Sequence, residues 1–339
     1  MAAEETPESL PQLSRSLLTP GPQPPVSHFG LTLLRHVVAT ALRYSLYQLG
    51  MPVPDAPPIR ILRLRLYLEA TPLRALLGDL AGGERLLAAL LQPSAGVSTT
   101  LPTSIRTAAA LHRLRLRLGL HRRRRGKRVA AEGSPREQLW CSFEDRVQRA
   151  QPRLGDAMLA EILAVLRKQD VASEEPAVLL GRQAWRALSG GRCDYSQLGP
   201  LDPLHPSWAE DEPRYANLLD RIRPIETTRA GSRGSFREAY RGFLSEVRPS
   251  LVAFGENAEA EGVVERRTDL FFIPFQLCDE LLGKRRPAWF DVTVATNRQE
   301  YEGLLQTAEH ADEIHGSPAL AEMVDRSADW ELAPVLAMS

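Results

Sequence analysis

Two arginines in the C-terminal half of the chain are spaced so that they can act on one anion. Arg233 and Arg237 lie four positions apart in the stretch RGSFR, and an α-helix places residues i and i+4 on the same face. Two guanidinium groups on one face offer converging donors to a phosphate or carboxylate group. The same spacing is typical of solvated surface charge, so the pair by itself leaves both interpretations open.

Other patterns that would identify an enzyme are missing from the sequence. It contains no GxGxxG, GxxxxGK[ST] or GxSxG motif, which are typical of dinucleotide, nucleoside triphosphate and serine hydrolase sites. His310 and His315 are five positions apart among acidic residues. Metal ligands on one helical face prefer the i,i+4 spacing of HExxH. We therefore predict a surface helix end there, and no metal site.

Cysteine content and hydropathy predict a cytoplasmic protein. The three cysteines, Cys141, Cys193 and Cys278, are far apart and form no CxxC pair, which favours neither a zinc site nor a disulfide framework. The N-terminus lacks a basic region followed by an apolar region, as a secretory signal would have. No stretch reaches the ~20 apolar residues of a membrane span.

The charge balance argues against a protein dedicated to nucleic acid. The chain has 42 basic and 42 acidic residues, whereas such proteins are usually strongly basic. The run from Arg122 to Arg125 can contact phosphate or an acidic partner, but it is also typical of a solvated helix end. We expect no nucleic-acid and no membrane partner.

The hydrophobic pattern predicts a mainly α-helical, multi-helical fold with a small β element at about 59–68. The segment 111–128 alternates like a strand but has the composition of a helix, and we favour the helix. We expect a Pro-rich flexible lead-in over 1–27, a helical domain over 28–308 and a C-terminal tail over 309–339. The helices are predicted at about 28–49, 136–150, 154–169, 175–189, 212–223, 234–258, 274–283 and 292–308.

A long loop rich in Gly and Pro interrupts these helices. It runs from Ser189 to Pro213, and a loop of that length within a compact domain is usually functional or disordered. Trp208 lies on it, close to His205. This tryptophan either anchors the loop or stacks against a ligand.

Four stretches, in the same order, resemble the central helical region of the phosphoenolpyruvate synthase and rifampin phosphotransferase family. The first, SLLTPGPQPPVSHFGLTLLRHVV, resembles its entry segment, and the second, LRLRLYLEATPLRALLG, resembles the following strand and helix. The third, GGRCDYSQLGPLDPLHPSWAEDEP, matches the family pattern at Gly191, Arg192, Cys193, Asp202, Pro206, Trp208 and Glu210. The fourth begins FREAYRG and contains the step Asp269-Leu270-Phe271-Phe272 before a short helix.

The resemblance implies roles for particular residues. Arg233 and Arg237 fall on a basic pair that serves the transferred phosphoryl group, although this chain has Gly-Ser-Phe between them and Arg in place of Lys. Arg192 and Trp208 fall on the loop that is implied to contact the substrate. Phe271 and Phe272 are implied to anchor a strand-like turn in the core between two helices.

The same resemblance implies an incomplete set of domains. Family enzymes carry an ATP-grasp domain before this region and a phosphohistidine domain after it, and neither pattern occurs here. The nearest phosphohistidine look-alike, Ser27-His28-Phe29, has Phe where the family has Ala. We therefore expect the acceptor-binding component of a split phosphotransferase, inactive alone, with a small-molecule acceptor. Separate ATP-grasp and phosphohistidine proteins would supply ATP and Mg²⁺, and this chain would bind no cofactor itself. The alternative is a non-catalytic small-molecule-binding or regulatory protein derived from the family.

Overall fold

The computed structural model describes residues 13–14, 25–49, 51, 53, 58–62, 64–77, 133–166, 201–206, 210, 236–283, 286–306 and 313–314. Within these ranges the fold is mainly α-helical with a small β element, which confirms the prediction from hydrophobic periodicity. The helices predicted at 175–189 and 212–223, and the segment 111–128, lie outside the described residues. No helix in the described part is both long enough and apolar enough to cross a membrane.

Helix α1 (His28–Gln48) is the central helix of the described core. Ser27 is its N-cap, and its side chain accepts a hydrogen bond from the Gly30 amide, which satisfies one of the donors that a helix start leaves free. The predicted stop after Leu49 is observed, because the Leu49 amide closes the last turn on the Ser45 carbonyl. Most of its residues are buried, since other elements pack on several of its sides.

A short antiparallel hairpin packs beside α1. Strand β2 (Ile59–Leu62) pairs with β3 (Arg65–Glu69) in a register that sets Ile59 opposite Leu68. The two-residue strands β1 (Leu13–Ser14) and β4 (Glu313–Ile314) extend the sheet in the order β2-β3-β1-β4. Helix α2 (Ala70–Leu77) follows β3 directly.

Helix α3 (Pro135–Leu166) is longer than the sequence pattern predicts. Its start is a capping box, in which the Ser134 amide donates to the Glu137 carboxylate at 2.6 Å and the Glu137 amide donates to the Ser134 hydroxyl at 3.3 Å. We predicted two helices separated at Pro152, and that division is wrong because the helix continues through this proline. The helix packs against α1 and against the next long helix, so tertiary burial outweighs the one hydrogen bond that proline removes.

Helix α4 (Phe236–Ala260) completes the layer formed with α1 and α3. Its buried residues recur every three or four positions, as expected for one face of a helix. The buried hydrophobic residues on this face are Phe236, Tyr240, Phe243, Leu244, Val247, Leu251, Phe254 and Ala258. After the helix the chain turns at Gly262, which has a positive φ of 71°, a conformation that glycine adopts without steric cost.

Two 3-10 segments connect α4 to helix α5 (Phe290–Gln306). The first is Asp269–Phe272 and the second is Phe275–Leu282. The strand-like step that we predicted at 269–272 is therefore wrong. The Asp269 carboxylate accepts a hydrogen bond from the Arg266 amide at 2.9 Å and closes a tight turn. All four residues of that turn are buried, whereas a strand would send alternate side chains to opposite faces.

Phe271 and Phe272 anchor this turn in the core, as predicted. Phe271 meets the ring of Phe29 edge-on, with ring centroids 5.9 Å apart. Phe272 meets Tyr301 of α5 edge-on at 5.9 Å, and the guanidinium of Arg298 lies over its ring at 4.9 Å. The pair therefore joins the first 3-10 segment to α1 on one side and to α5 on the other.

Candidate functional site

A buried carboxylate lies at the start of α1, near Tyr240 of α4 and Tyr301 of α5. Asp202 is only 4% exposed. Its Oδ2 accepts a hydrogen bond from the Ser27 amide, and its Oδ1 accepts one from the Ser27 hydroxyl, each at 2.6 Å. The Leu204 amide donates to Oδ1 at 3.0 Å. Three donors thus converge on one acid at the start of α1, where the helix dipole also favours negative charge.

Gly30 allows the loop that carries Asp202 to approach α1 this closely. A Cβ atom at position 30 would lie 2.8 Å from Asp202 Oδ1 and 2.8 Å from Pro203 Cδ. Real side chains essentially never show contacts that short. The glycine at this position is therefore required by packing.

Burial dominates the electrostatics of this centre. It raises the pKa of Asp202, and the hydrogen bonds from Ser27 and Leu204 offset that effect in part. Tyr240 of α4 is 1% exposed, and its pKa is raised by burial and by the nearby charge of Asp202. Burial, followed by Asp202, also raises the pKa of Tyr301. The two phenols therefore stay neutral and are potential donors beside the acid.

Two histidines contact neighbouring positions of α5. His28 Nε2 lies 3.2 Å from a carboxylate oxygen of Glu300, and His205 Nε2 lies 2.9 Å from the Tyr301 hydroxyl. The His28 side chain is fully buried. These contacts join the first turn of α1 and the Asp202 loop to the same turn of α5.

Arg248 of α4 holds the loop from a third side. Its Nε donates to the Pro203 carbonyl at 2.9 Å, and its Nη1 forms an ion pair with the Glu210 carboxylate. Segment 201–206 is thus fastened to α1 through Ser27, to α4 through Arg248 and to α5 through Tyr301. These contacts hold segment 201–206 in place against three helices.

The predicted site residues fall largely outside the described part of the chain. Arg192, Trp208 and Arg233 lie in ranges that the structure does not describe. Arg237 occupies the second position of α4, but its side chain is outside the described atoms. The roles predicted for these four residues are therefore neither supported nor contradicted by their geometry.

The structure adds two residues that sequence reasoning did not select. Arg241, one turn after Arg237 on the same side of α4, is an arginine with only 7% exposure. Its i+4 spacing from Arg237 was a signal that could have found it. Arg248 had no such signal, because its partners, Pro203 and Glu210, lie 45 and 38 positions away in the chain.

Metal-binding geometry is not found in the described residues, where no group of three or more His, Cys, Asp or Glu side chains could hold an ion. His310 and His315 lie outside them. What the described geometry defines is a helical protein with a buried polar centre that fixes one loop against three helices. No family model matches the chain, and neither the curated proteins nor the solved structures include a significant match to it.

Proposed function

We propose that this protein is the acceptor-binding component of a split phosphotransferase similar to the phosphoenolpyruvate synthase and rifampin phosphotransferase family. One observation carries the proposal. The entry segment, 16–38, hydrogen-bonds each of the other three stretches that carry the resemblance. Those stretches are separate in sequence, so their meeting at one segment is expected if they are parts of one functional region.

The three links are specific backbone or side-chain contacts. The Val26 amide donates to the Leu64 carbonyl at 3.3 Å in the second stretch. Ser27 donates twice to Asp202 in the third stretch. The Phe275 amide of the fourth stretch donates to the Thr32 hydroxyl at 3.0 Å. The loop assigned to the acceptor, through Asp202, and the 3-10 segment that follows α4, through Phe275, therefore both contact the first turns of α1.

The proposed chemistry assigns distinct roles to distinct parts of the chain. A separate phosphohistidine protein, charged by an ATP-grasp protein with ATP and Mg²⁺, donates the phosphoryl group. Arg233 and Arg237 stabilise the negative charge on that group during transfer, as preorganised cationic donors do in phosphoryl transfer. Trp208 and Arg192 contact the small-molecule acceptor. This chain positions the acceptor and binds no cofactor of its own.

Reconstituted transfer tests the proposal. The full chain is mixed with ATP-grasp and phosphohistidine domains from a phosphoenolpyruvate synthase and with radiolabelled ATP. Pyruvate and rifampin, the acceptors named by the family resemblance, are offered in turn. We expect label on an acceptor only when this chain is present, and no labelling of the chain when it is incubated with ATP alone.

Arginine variants identify the residues responsible. Arg233→Ala and Arg237→Ala should each lower the transfer rate by at least about 100-fold, the usual effect of removing one transition-state donor. The matched control is Arg149→Ala, because Arg149 is exposed on α3 and its Nε donates to the Asp145 carbonyl of the same helix. Acceptor binding without any transfer, equal in the wild type and both variants, would overturn the phosphotransfer role and identify a non-catalytic binding protein.

A further inference from the structure

The N-terminal lead-in and the C-terminal tail each contribute a strand to the same sheet. Strand β1 lies between β3 and β4 in the order β2-β3-β1-β4. It pairs antiparallel with β3, where Ser14 is opposite Leu68, and antiparallel with β4, where Leu13 is opposite Ile314. Within the part of the chain that the structure describes, β4 pairs with β1 alone. The tail is therefore joined to the hairpin through the lead-in.

The direction of the backbone groups shows which residue of β1 makes each link. The Glu69 amide donates to the Pro58 carbonyl at 2.9 Å, on the β2 side of β3. Hydrogen-bonded and non-hydrogen-bonded positions alternate along an antiparallel strand, so the backbone groups of Leu68 face β1 and bond with Ser14. By the same alternation, the backbone groups of Leu13 face β4 and bond with Ile314. One residue of β1 thus serves each neighbouring strand.

The lead-in has a second contact with the hairpin, whereas the tail gains none from its own chain position. The Val26 amide donates to the Leu64 carbonyl at 3.3 Å, immediately before β3. The lead-in is thus attached near both ends of β3. Strand β4 begins seven positions after α5 ends at Gln306, a chain length of at most ~25 Å.

The pairing of β4 is too short to be stable without β1. Each of the two strands has two residues, and an isolated pair of strands is only marginally stable in water. The net contribution of one backbone hydrogen bond is similar in size to the entropic cost of ordering one residue. Strand β4 therefore has no surplus of stability that would keep it on the sheet once β1 has left.

We propose that the N-terminal lead-in is a clasp, in which strand β1 ties the C-terminal tail to the hairpin, so that release of the lead-in also releases the tail. The dependence runs in one direction. Strand β1 keeps its pairing with β3 when β4 leaves, whereas β4 loses its described partner when β1 leaves. A partner protein that binds the lead-in, or a protease that removes it, therefore frees the segment that follows α5.

Hydrogen exchange of single backbone amides in the full chain, measured by NMR, tests this clasp. Leu13→Pro removes the N–H group that faces β4, because proline has no amide hydrogen. The Ile314 amide should then exchange at least about tenfold faster, which corresponds to ~1.4 kcal/mol of local stability, while the Leu68 amide stays within about twofold of the wild type. Ser14→Pro removes the N–H group that faces β3 and should accelerate exchange at both Leu68 and Ile314.

Two further variants test the direction of the dependence and its specificity. Ile314→Pro should leave the Leu68 amide protected, because β1 stays on β3. Glu8→Pro adds a proline to the lead-in outside β1 and should leave both amides unchanged. The Glu69 amide, which donates to Pro58, should remain protected in every variant and reports that the hairpin is folded.

Three outcomes overturn the clasp. The first is an Ile314 amide that exchanges equally fast in the wild type and in Leu13→Pro, and the second is a Leu68 amide that loses its protection in Ile314→Pro. The third is protection of Ile314 that falls when the protein is diluted, because the pairing strand then belongs to a second copy of the chain. The measurement involves no acceptor and no phosphoryl donor, so its outcome is separate from that of the proposed function.

Discussion

Ser27 and Asp202 are 175 positions apart in the chain and are joined by two hydrogen bonds of 2.6 Å. Ser27 serves two purposes at once. Its hydroxyl caps the start of α1 by accepting from the Gly30 amide, and the same hydroxyl donates to the acid. A local helix-start signal and a long-range loop attachment are thus combined in one residue.

Replacement of Asp202 by Asn should destabilise the protein. The amide NH2 of Asn must face either the Ser27 amide or the donors at Oδ1, so at least one buried N–H loses its acceptor. Such a loss costs roughly 1–3 kcal/mol. Urea denaturation at neutral pH measures it, with the exposed Asp145→Asn as the control. Equal stability of Asp202→Asn and the wild type would show that the carboxylate is not the acceptor these donors require.

The stability difference between the wild type and Asp202→Asn should depend on pH, and the pKa of Asp202 gives the direction of that dependence. Burial raises the pKa of Asp202 above its ordinary 3.8. The folded state therefore binds the proton of Asp202 more tightly than the unfolded chain does, and protonation stabilises the fold. The stability that Asp202 contributes is fully present below pH 3.8 and is lost as the pH rises through the raised pKa of the folded state. The stability margin of the wild type over Asp202→Asn should therefore narrow from mildly acidic to neutral pH. A margin that widens over this range would show a lowered pKa instead.

Gly30 and Gly242 form a matched pair of glycine substitutions. A methyl group at position 30 would press against Asp202 and Pro203, whereas a Cβ at position 242 in α4 meets nothing within 4 Å. Gly30→Ala should lose about 1–3 kcal/mol through overpacking. Gly242→Ala should gain up to ~1 kcal/mol, because alanine restricts the unfolded chain and favours the helix. Thermal melts of both variants measure the difference, and similar effects at the two positions would refute the close approach of loop and helix.

Local signals in the sequence account for much of this fold. The run of apolar residues at helical spacing from His28 onward predicts both the extent of α1 and its buried face. The alternation from Ile59 onward predicts the β element. Neither of these two patterns contains information about contacts between segments that are distant in the chain. The continuation of α3 through Pro152 depends on packing against α1 and α4, and the 3-10 turn at 269–272 depends on the Asp269 side chain, so both were missed.

Less of the candidate site than of the fold could be predicted from the sequence. Asp202 appeared only as one match within a loop pattern, and no nearby residue indicated that Ser27 would be its partner. The Arg248 contacts likewise join α4 to a loop about forty positions earlier. Contacts between distant segments leave no periodic pattern in the sequence. The polar centre could therefore be identified only from the structure.

Phe271 and Phe272 should each be essential to stability. Phe271→Ala removes the contact with Phe29, and Phe272→Ala removes contacts with Tyr301 and Arg298. Both side chains are at most 5% exposed, so each change should cost about 3–5 kcal/mol, the usual range for a core aromatic residue. Chemical denaturation measures the cost. Val292→Ala is the control, because Val292 is 65% exposed and its loss should change stability by only ~0.5 kcal/mol.

Tyr44 of α1 should ionise well above the ordinary range of a tyrosine. Burial, the 2.8 Å hydrogen bond from its hydroxyl to Asp156, and the charge of that carboxylate raise its pKa from 10.0 to about 12. Because the pKa of the folded state is the higher one, the stabilising contribution of Tyr44 is present below pH 10 and is lost as the pH rises through about 12. The phenolate absorbance of the wild type minus that of Tyr44→Phe isolates this one titration, while circular dichroism verifies that the chain stays folded. Asp156→Asn should move the midpoint down toward 10 but not all the way, since the burial remains. A difference titration centred near pH 10 in the wild type would contradict the contact between α1 and α3 that this hydrogen bond represents.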